Sequence, residues 1–330
     1  MNAVSLAARM PTIQSGLIKK PRDERKRSVS RALLTLQRRG CQACIIGLTI
    51  SIACARHNPI APDLSTTVTQ ASRIPAFSHI VVLVMENKEF DRIIGAPSAP
   101  YINSLADTYG SAVNYTGVAH PSLPNYMALT GGVAAFVSDC PSCTINAVNI
   151  VDEVEASGRR WRAYLEDMPA PCTTNNAGNY DVDHNPFLHY IDILANRVRC
   201  EASVVPLTEL AADLQTGRLP DYVWITPNNC HNMHDCSVAA GDTWLAGFVP
   251  SLIASMGASD WVLFVVWDEG NSDQGGGGHV PAIVVAPGVH GIQSATLHSH
   301  YGLVRTIEDA WNLKPLGQTG FASAMAEFWH

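Results

Sequence analysis

The stretch His79-Ile-Val-Val-Leu-Val-Met-Glu-Asn87 is the clearest indication of the fold of this chain. Its apolar run ends at Met85, and two polar residues follow at once. A continuous apolar run of this length is typical of a strand buried on both faces of a parallel sheet. Similar runs at 222–226, 261–267 and 280–286 predict further buried strands.

Between these runs, several segments have helical features: apolar residues at helical spacing, proline at the start or glycine at the end. Strand and helix segments alternate without an internal repeat or a second linker. This order predicts one doubly wound α/β domain over residues 76–330, with a mostly parallel sheet and helices on both faces. The predicted helices are 99–109, 123–130, 161–166, 207–214, 243–255 and 299–311.

Residues 1–55 predict an export signal, followed by a linker rich in Pro, Ser, Thr and Ala over 56–75. A basic stretch ending at Arg38-Arg39 precedes an apolar segment of roughly 12 to 15 residues, short for a membrane span of about 20. Ala53-Cys54-Ala55 fits a cleavage site, whereas Cys54 could instead be the lipidated residue of a lipoprotein. A retained N-terminal anchor is the alternative.

The composition excludes two classes of protein. The 330 residues are 47% hydrophobic and 15% charged, which is too apolar for a disordered chain. The formal net charge is −7, and much of the basic charge lies in the first forty residues. The remainder is therefore acidic, which argues against nucleic-acid binding. A lipid at Cys54 is the one membrane contact we expect.

The cysteine count agrees with export. Nine cysteines occur, of which three lie in the leader, so six remain in the mature chain. An even number suits an oxidising compartment with up to three disulfides. Local pairing predicts Cys140–Cys143, Cys172–Cys200 and Cys230–Cys236. A zinc site built on Cys140 and Cys143 is the alternative.

Polar residues follow two of the predicted strands directly: Glu86 and Asn87 after 79–85, and Asp268 and Glu269 after 261–267. Carboxyl ends of parallel strands face the crevice where ligands bind in such sheets. Three carboxylates and an amide oxygen form the ligand type that Mg²⁺, Ca²⁺ or Mn²⁺ prefers, and without a cation their like charges would be costly. We therefore expect one divalent metal ion here, with zinc a further possibility.

A serine lies between two prolines in His120-Pro-Ser-Leu-Pro-Asn125, at the start of a predicted helix. Its hydroxyl would lie near free N–H groups that stabilise an anionic oxygen. Next to a metal, whose charge lowers the pKa of a hydroxyl, Ser122 would be the natural nucleophile.

These motifs, in this order over about residues 78–314, resemble the bacterial phosphoesterase family of acid phosphatases and phosphate-specific phospholipases C. That family belongs to the alkaline-phosphatase-like superfamily. The short chain and the serine motif are more similar to the acid phosphatases. The resemblance rests on HIVVLVMENKEFDRIIG, APYINSLADTYG, HPSLPNYMALTGG, YDVDHNPFLHY, LPDYVWITPNNCHNMHD, GDTWL, VVWDEG and SHYGLVRTIEDAW.

The resemblance implies a metal-dependent hydrolase of phosphate monoesters that forms a phosphoserine intermediate. A phospholipase C or phosphodiesterase on the same scaffold, and a non-catalytic exported binding protein, are the alternatives. Gly275 to Gly278 lacks the residues of a phosphate-binding P-loop and predicts a flexible loop over the site. The expected roles are metal ligation by Glu86, Asn87, Ser122, Asp268 and Glu269, catalysis by Ser122, His184 and His234, and substrate binding by His120, Asn125, Asn185, Asp235 and His300. From their places in the sequence, His279 and His300 are also expected to close the pocket from its C-terminal side.

Overall fold

The computed structural model describes residues 74–258 and 260–329. The predicted export signal and nearly all of the predicted linker lie outside the described residues. No helix within the described ranges is both long and apolar enough to cross a membrane.

Ten strands lie within the described residues. The predicted strands at 79–85, 222–226 and 261–267 are present with those bounds, and the one predicted at 280–286 is shorter. The strands are β1 (His79–Met85), β2 (Gly110–Ala112), β3 (Tyr115–Thr116), β4 (Trp161–Leu165), β5 (Val204–Pro206), β6 (Tyr222–Thr226), β7 (Trp261–Trp267), β8 (Ala282–Val285), β9 (Ile292–Ser294) and β10 (His298–Ser299).

Most of the predicted helices are present with shifts of a few residues at their ends. Short 3₁₀ turns cover Pro186–His189, Gln274–Gly276, Gly317–Phe321 and Ala326–Phe328. The helices are α1 (Phe90–Ile93), α2 (Pro100–Thr108), α3 (Ser122–Gly131), α4 (Ile150–Ala156), α5 (Ile191–Ala195), α6 (Arg197–Ser203), α7 (Glu209–Gln215), α8 (Val238–Met256) and α9 (His300–Trp311).

Eight of these strands form one sheet in the order β5-β4-β6-β1-β7-β8-β2-β9. All neighbours pair in parallel except β8, which runs antiparallel to both β7 and β2. Every residue of β7 is buried. Because alternate side chains of a strand point to opposite faces, both faces of the sheet are covered. The predicted α/β class with a mostly parallel sheet is confirmed.

The helix predicted over residues 161–166 is wrong, because this segment is strand β4. Trp161 pairs with Tyr222 and Leu165 with Thr226, which places β4 between β5 and β6. Trp161, Ala163, Tyr164 and Leu165 are all buried. In a segment of five residues, burial on two faces produces no clear alternation, so the local pattern did not separate a strand from a helix.

The described part of the chain contains three disulfides, Cys140–Cys143, Cys172–Cys200 and Cys230–Cys236. The local pairing is confirmed, and the zinc alternative is wrong because both of its sulfurs are bonded to each other. Disulfides persist in oxidising compartments, which agrees with an exported protein.

Candidate active site

Two buried carboxylates meet at the carboxyl ends of the central strands. Met85 and Trp267 end β1 and β7 as register partners, so Glu86 and Asp268 follow side by side. The backbone N–H of Asp268 donates to the carbonyl of Met85 at 3.0 Å. The N–H of Asn87 donates to Oδ1 of Asp268 at 3.1 Å. The register of two parallel strands therefore brings the predicted ligand pairs together.

Ser122 is the first residue of α3 and is buried beside these carboxylates. Its hydroxyl lies 3.1 Å from Oε2 of Glu86, to which it donates, and 3.4 Å from Oε1 of Glu269. The serine and the carboxylates are separated by 36 and 147 residues in the chain. The fold thus brings the three sequence motifs into one site.

Tyr126 is a site residue that the sequence reasoning missed. Its buried hydroxyl donates to Oε1 of Glu86, the carboxylate that also accepts from Ser122. Tyr126 lies four residues after Ser122 on α3, and residues at that spacing share one face of a helix. The spacing was the available signal.

The carboxylates are held at a high electrostatic cost. Burial raises the pKa of Glu86 to about 8 and, with the charge of Asp268, that of Glu269 to about 7. Burial and then the charge of Glu86 raise the pKa of Asp268 well above its usual value. A bound cation would reverse this preference for the protonated forms, because an opposite charge stabilises a carboxylate.

Unsatisfied oxygen atoms support a cation at the same place. In the part of the chain that the structure describes, Oδ1 of Asn87 and Oδ2 of Asp268 are buried without a hydrogen-bond partner. Such atoms are rare in proteins and require an explanation. No group of three His, Cys, Asp or Glu side chains within residues 74–258 and 260–329 forms a metal cage by itself. A cation here would therefore also depend on the Asn87 amide and the Ser122 hydroxyl, and this hard-oxygen set fits it.

His120 lies against the site through Glu269. Its Nδ1 contacts Oε2 of Glu269, and its Nε2 lies 3.0 Å from the carbonyl of Ser272. Both ring nitrogens have protein partners. The side chain therefore holds Glu269 in place, and this geometry does not support the predicted direct contact with substrate.

Two other predicted histidines extend the site on the far side of Glu86. His184 is buried, with its Nε2 3.5 Å from Oε1 of Glu86 and its Nδ1 3.0 Å from Oδ1 of Asn229. Burial lowers the pKa of His184, so its neutral form is favoured. The ring of His234 lies 5.4 Å from that of His184, and its Nδ1 is 2.6 Å from Oδ1 of Asp235. The structure therefore brings both histidines and Asp235 to the site.

Asn125 supports the nucleophile loop and has no polar atom left for a substrate. Its Oδ1 accepts from the N–H groups of Val118 and Ala119 at 2.9 and 3.1 Å. Its Nδ2 donates to the carbonyls of Ala119 and Pro121. The side chain is fully buried. Its predicted substrate contact is corrected to a structural role.

Three other predicted residues are also part of the scaffold. Both nitrogens of buried His300 are occupied, by the carbonyl of Asp268 at 2.5 Å and the hydroxyl of Tyr115 at 3.1 Å. Asn185 is buried and donates to the hydroxyl of Tyr180. His279 stacks on Phe90, with its Nε2 3.0 Å from the carbonyl of Val113. Oδ1 of Asn185 is buried without a hydrogen-bond partner among the described residues, but none of the three residues lines the cavity beside the site described below.

The run Gly275 to Gly278 is packed tightly, contrary to the expected flexible loop. A Cβ atom at Gly275 would lie 2.3 Å from Oγ1 of Thr116, and one at Gly277 would lie 2.6 Å from the nitrogen of Val118. Gly275, Gly276 and Gly278 have positive φ, which glycine adopts without strain. The glycines therefore allow close contact with the loop that leads to Ser122.

A cavity of about 800 Å³ opens beside the site. Asn87 and His234 line it together with Lys88 and Arg92. Nζ of Lys88 donates to the carbonyl of Met233 at 2.7 Å. A second cavity lies at the amino ends of β4 and β6. Its lining is rich in arginine and includes Arg160 and Pro220, and it contains none of the predicted site residues.

The chain is thus an α/β protein that places a serine among buried carboxylates at the carboxyl edge of its sheet. A crystal structure of a protein in the alkaline phosphatase superfamily from Vibrio parahaemolyticus is similar, with a TM-score of 0.52, 13% identity, and coverage of 73% of this chain and 68% of that one. At that identity the similarity supports the fold alone.

Sequence comparison identifies the family. The model of the phosphoesterase family matches residues 96–314. The chain is 30% identical to a phosphatidylinositol-3-phosphatase of Mycobacterium tuberculosis, over 78% of this chain and 85% of that protein. It is 27% identical to a probable acid phosphatase of Kluyveromyces lactis, over 79% and 67% of the two chains. This chain belongs to the phosphoesterase family and is a phosphoric ester hydrolase.

Proposed function

We propose that this exported enzyme is an acid phosphatase that hydrolyses phosphate monoesters through a phosphoserine formed on Ser122. One observation carries the proposal. Ser122 is the first residue of α3, and its hydroxyl donates to Glu86 and lies near Glu269. These residues come from three motifs, at the ends of β1 and β7 and at the start of α3. The acid phosphatase among its relatives supports this choice of reaction.

Glu86, Asn87, Asp268 and Glu269, with Ser122, would hold one divalent metal ion. Mg²⁺, Ca²⁺, Mn²⁺ and Zn²⁺ are all compatible with the proposal. When bound, the ion would lower the pKa of the serine hydroxyl and offset charge on the phosphoryl oxygens. The buried oxygens of Asn87 and Asp268 that lack hydrogen-bond partners support this assignment.

The chain's own residues account for the bond changes. The Ser122 proton has two carboxylate acceptors within 3.4 Å, and the freed Oγ attacks phosphorus while the bond from phosphorus to the alcohol oxygen breaks. Water then attacks the phosphoserine, which releases phosphate and restores the serine. Positioning and electrostatic stabilisation supply most of the rate in phosphoryl transfer.

His234 is the proposed acid for the leaving alcohol. It lines the cavity of about 800 Å³, and its Nδ1 lies 2.6 Å from the Asp235 carboxylate, which orients the ring. His184 is buried and stacks on Tyr126, with ring centroids 5.4 Å apart. We therefore assign His184 to orienting Glu86 and His234 to proton donation.

The cavity also bears on the alcohol portion of the substrate. Its lining combines Lys88, Arg92, Asp91 and two asparagines, and so suits a polar alcohol better than an acyl chain. The relative from Mycobacterium tuberculosis is named for a phosphoinositide, whose phosphorylated ring is polar. A phosphorylated headgroup is therefore the second candidate substrate.

For export, the three disulfides support an oxidising compartment. We propose that residues 1–55 are the export signal. Cys54 then either lies in the cleavage site or is the residue that carries a lipid. Mass spectrometry of the mature N-terminus distinguishes the two.

The reaction is tested by hydrolysis of 4-nitrophenyl phosphate, the bis(4-nitrophenyl) diester and 4-nitrophenyl phosphorylcholine from pH 4 to 9, with and without chelator. We expect monoester turnover that Ser122→Ala abolishes and that the chelator suppresses. Ser255→Ala is the matched control, since Ser255 lies near the far end of α8, about 25 Å along the helix from its start. Monoester turnover retained in Ser122→Ala would overturn the nucleophile, and preference for the diester or phosphorylcholine would move the enzyme to the phospholipase branch.

A further inference from the structure

Helix α3, which carries Ser122, receives its cap from a distant loop. Its own capping position is Pro121, which provides no side-chain cap. Oδ1 of Asp139 instead accepts the N–H of Leu123 at 3.0 Å. Pro124 has no N–H, so the Asp139 carboxylate satisfies one of the three N–H groups of the first turn.

The loop that carries Asp139 is anchored at both of its cysteines. The Cys140–Cys143 disulfide follows Asp139 directly. The N–H of Cys140 donates to Oδ1 of Asp183 at 3.0 Å, and the carbonyl of Cys143 lies 2.8 Å from Nδ1 of His189. Both anchors belong to the segment that contains His184. The loop therefore joins the helix of the proposed nucleophile to the histidine beside Glu86.

Asp139 is exposed, and its carboxylate accepts the N–H of Leu123. An exposed carboxylate that served solubility alone would have no need to bond an N–H of this helix. Its hydrogen bond and its charge are two separable ways in which it could affect the reaction.

We propose that Asp139 is a positioning residue that fixes Ser122 through its hydrogen bond to the start of α3, and that the Cys140–Cys143 disulfide holds it there. This inference rests on the proposed role of Ser122. Release of the first turn would let the serine move relative to the carboxylates that accept its proton. A displacement of about 1 Å in a catalytic group can reduce the rate on the order of a hundredfold.

The test measures kcat and KM for 4-nitrophenyl phosphate, and the melting temperature, in Asp139→Ala, Asp139→Asn and the double variant Cys140→Ser/Cys143→Ser. Asparagine keeps an acceptor oxygen for the Leu123 N–H and removes the charge. Asp221→Ala is the matched control, because Asp221 also accepts a backbone N–H, that of Arg160 at 2.8 Å, at the opposite edge of the sheet.

We expect Asp139→Ala to lower kcat by about 10- to 100-fold with little change in KM, and asparagine to restore kcat to within about threefold. Cys140→Ser/Cys143→Ser should also lower kcat. Combining it with Asp139→Ala should lower kcat little further, since both changes remove the same restraint on α3. Asp221→Ala should retain wild-type kcat.

An unchanged kcat in Asp139→Ala at temperatures well below its melting point would overturn the proposal and leave Asp139 a stabilising residue only. Equal losses in the alanine and asparagine variants would assign the effect to charge and would also overturn it. Fully additive losses would refute the role of the disulfide. Activity retained in Ser122→Ala would instead refute the proposed function itself.

Discussion

Glu308 provides a test of the electrostatics in a part of the chain remote from the catalytic carboxylates. Its Oε1 accepts from the N–H of Leu316 and the hydroxyl of Thr319, both at 2.8 Å. Its Oε2 is buried with no partner among the described residues. The change Glu308→Gln keeps an acceptor for both donors and removes the charge that forms when the acid ionises.

The size of the expected change in the free energy of unfolding follows from the pKa of Glu308. Burial raises the pKa of Glu308 from 4.5 to about 7, and the hydrogen bonds from Thr319 and Leu316 offset part of that effect. The neutral acid is thus favoured by folding, so its stabilising effect is complete below pH 4.5 and is lost as the pH rises to about 7. A difference of about 2.5 between the two pKa values, at about 1.4 kcal/mol for each pKa unit, amounts to about 3.5 kcal/mol in all, of which about 3 kcal/mol falls between pH 4.5 and pH 8.

The assay is urea unfolding of both proteins at pH 4.5, 6, 7 and 8 under identical metal and oxidising conditions. The free energy of unfolding of Glu308→Gln should exceed that of the wild type by about 3 kcal/mol more at pH 8 than at pH 4.5. Glu201→Gln, which removes an exposed carboxylate paired with Arg197, should change it by less than about 1 kcal/mol. If the free energies of unfolding of wild type and Glu308→Gln changed with pH in parallel, folding would not favour the neutral form of Glu308.

Other expectations follow from the site. Dialysis against a chelator should abolish monoester turnover and lower the melting temperature, and added Mg²⁺ or Mn²⁺ should restore both; full activity in the chelated protein would contradict the metal assignment. Asn125→Leu should lower the free energy of unfolding by about 3 kcal/mol, because it leaves the partly buried N–H groups of Val118 and Ala119 without an acceptor. A loss no larger than that of the exposed Asn175→Leu in urea unfolding would argue against this bracing role. Replacing Arg92 with Gln should raise KM several-fold for 3-phosphoglycerate, which carries a carboxylate, but not for glycerol 2-phosphate. Equal changes in KM for both substrates would show that Arg92 does not contact the alcohol portion of the substrate.

The sequence predicted the sheet and the place of the site because both depend on strong local patterns. Long apolar runs end at Met85 and Trp267. If the two strands are neighbours, the polar residues directly after them must lie close together. The proline-bounded Ser122 was recognisable in the same way. The disulfides followed short spacings in the chain.

The supporting residues were not predicted, since their contacts cross long distances in sequence. Glu89 accepts the N–H of Asn271 from 182 residues away, and Asp213 binds Arg162 across 51 residues. Nothing periodic marks such partners. The same limit explains Asn125 and His300, whose polar groups suggested substrate contacts until their backbone partners were visible.

Strand β4 shows a second limit. Arg162 in this strand donates to Asp213 and Tyr164 donates to the same carboxylate, so a charged residue lies within a mostly buried strand. That ion pair interrupts the apolar run by which buried strands are recognised. The tertiary contact therefore determined the structure of this segment.

The proposed reaction requires that Ser122 becomes phosphorylated during turnover. The most direct measurement mixes the enzyme with 4-nitrophenyl phosphate, quenches in acid within milliseconds and maps phosphopeptides by mass spectrometry, with Ser122→Ala as the control. We expect a phosphoryl group on Ser122 that forms before steady state and is absent from the alanine variant. A phosphoryl group on another residue, or rapid turnover without any phosphoenzyme in a single-turnover experiment, would contradict it.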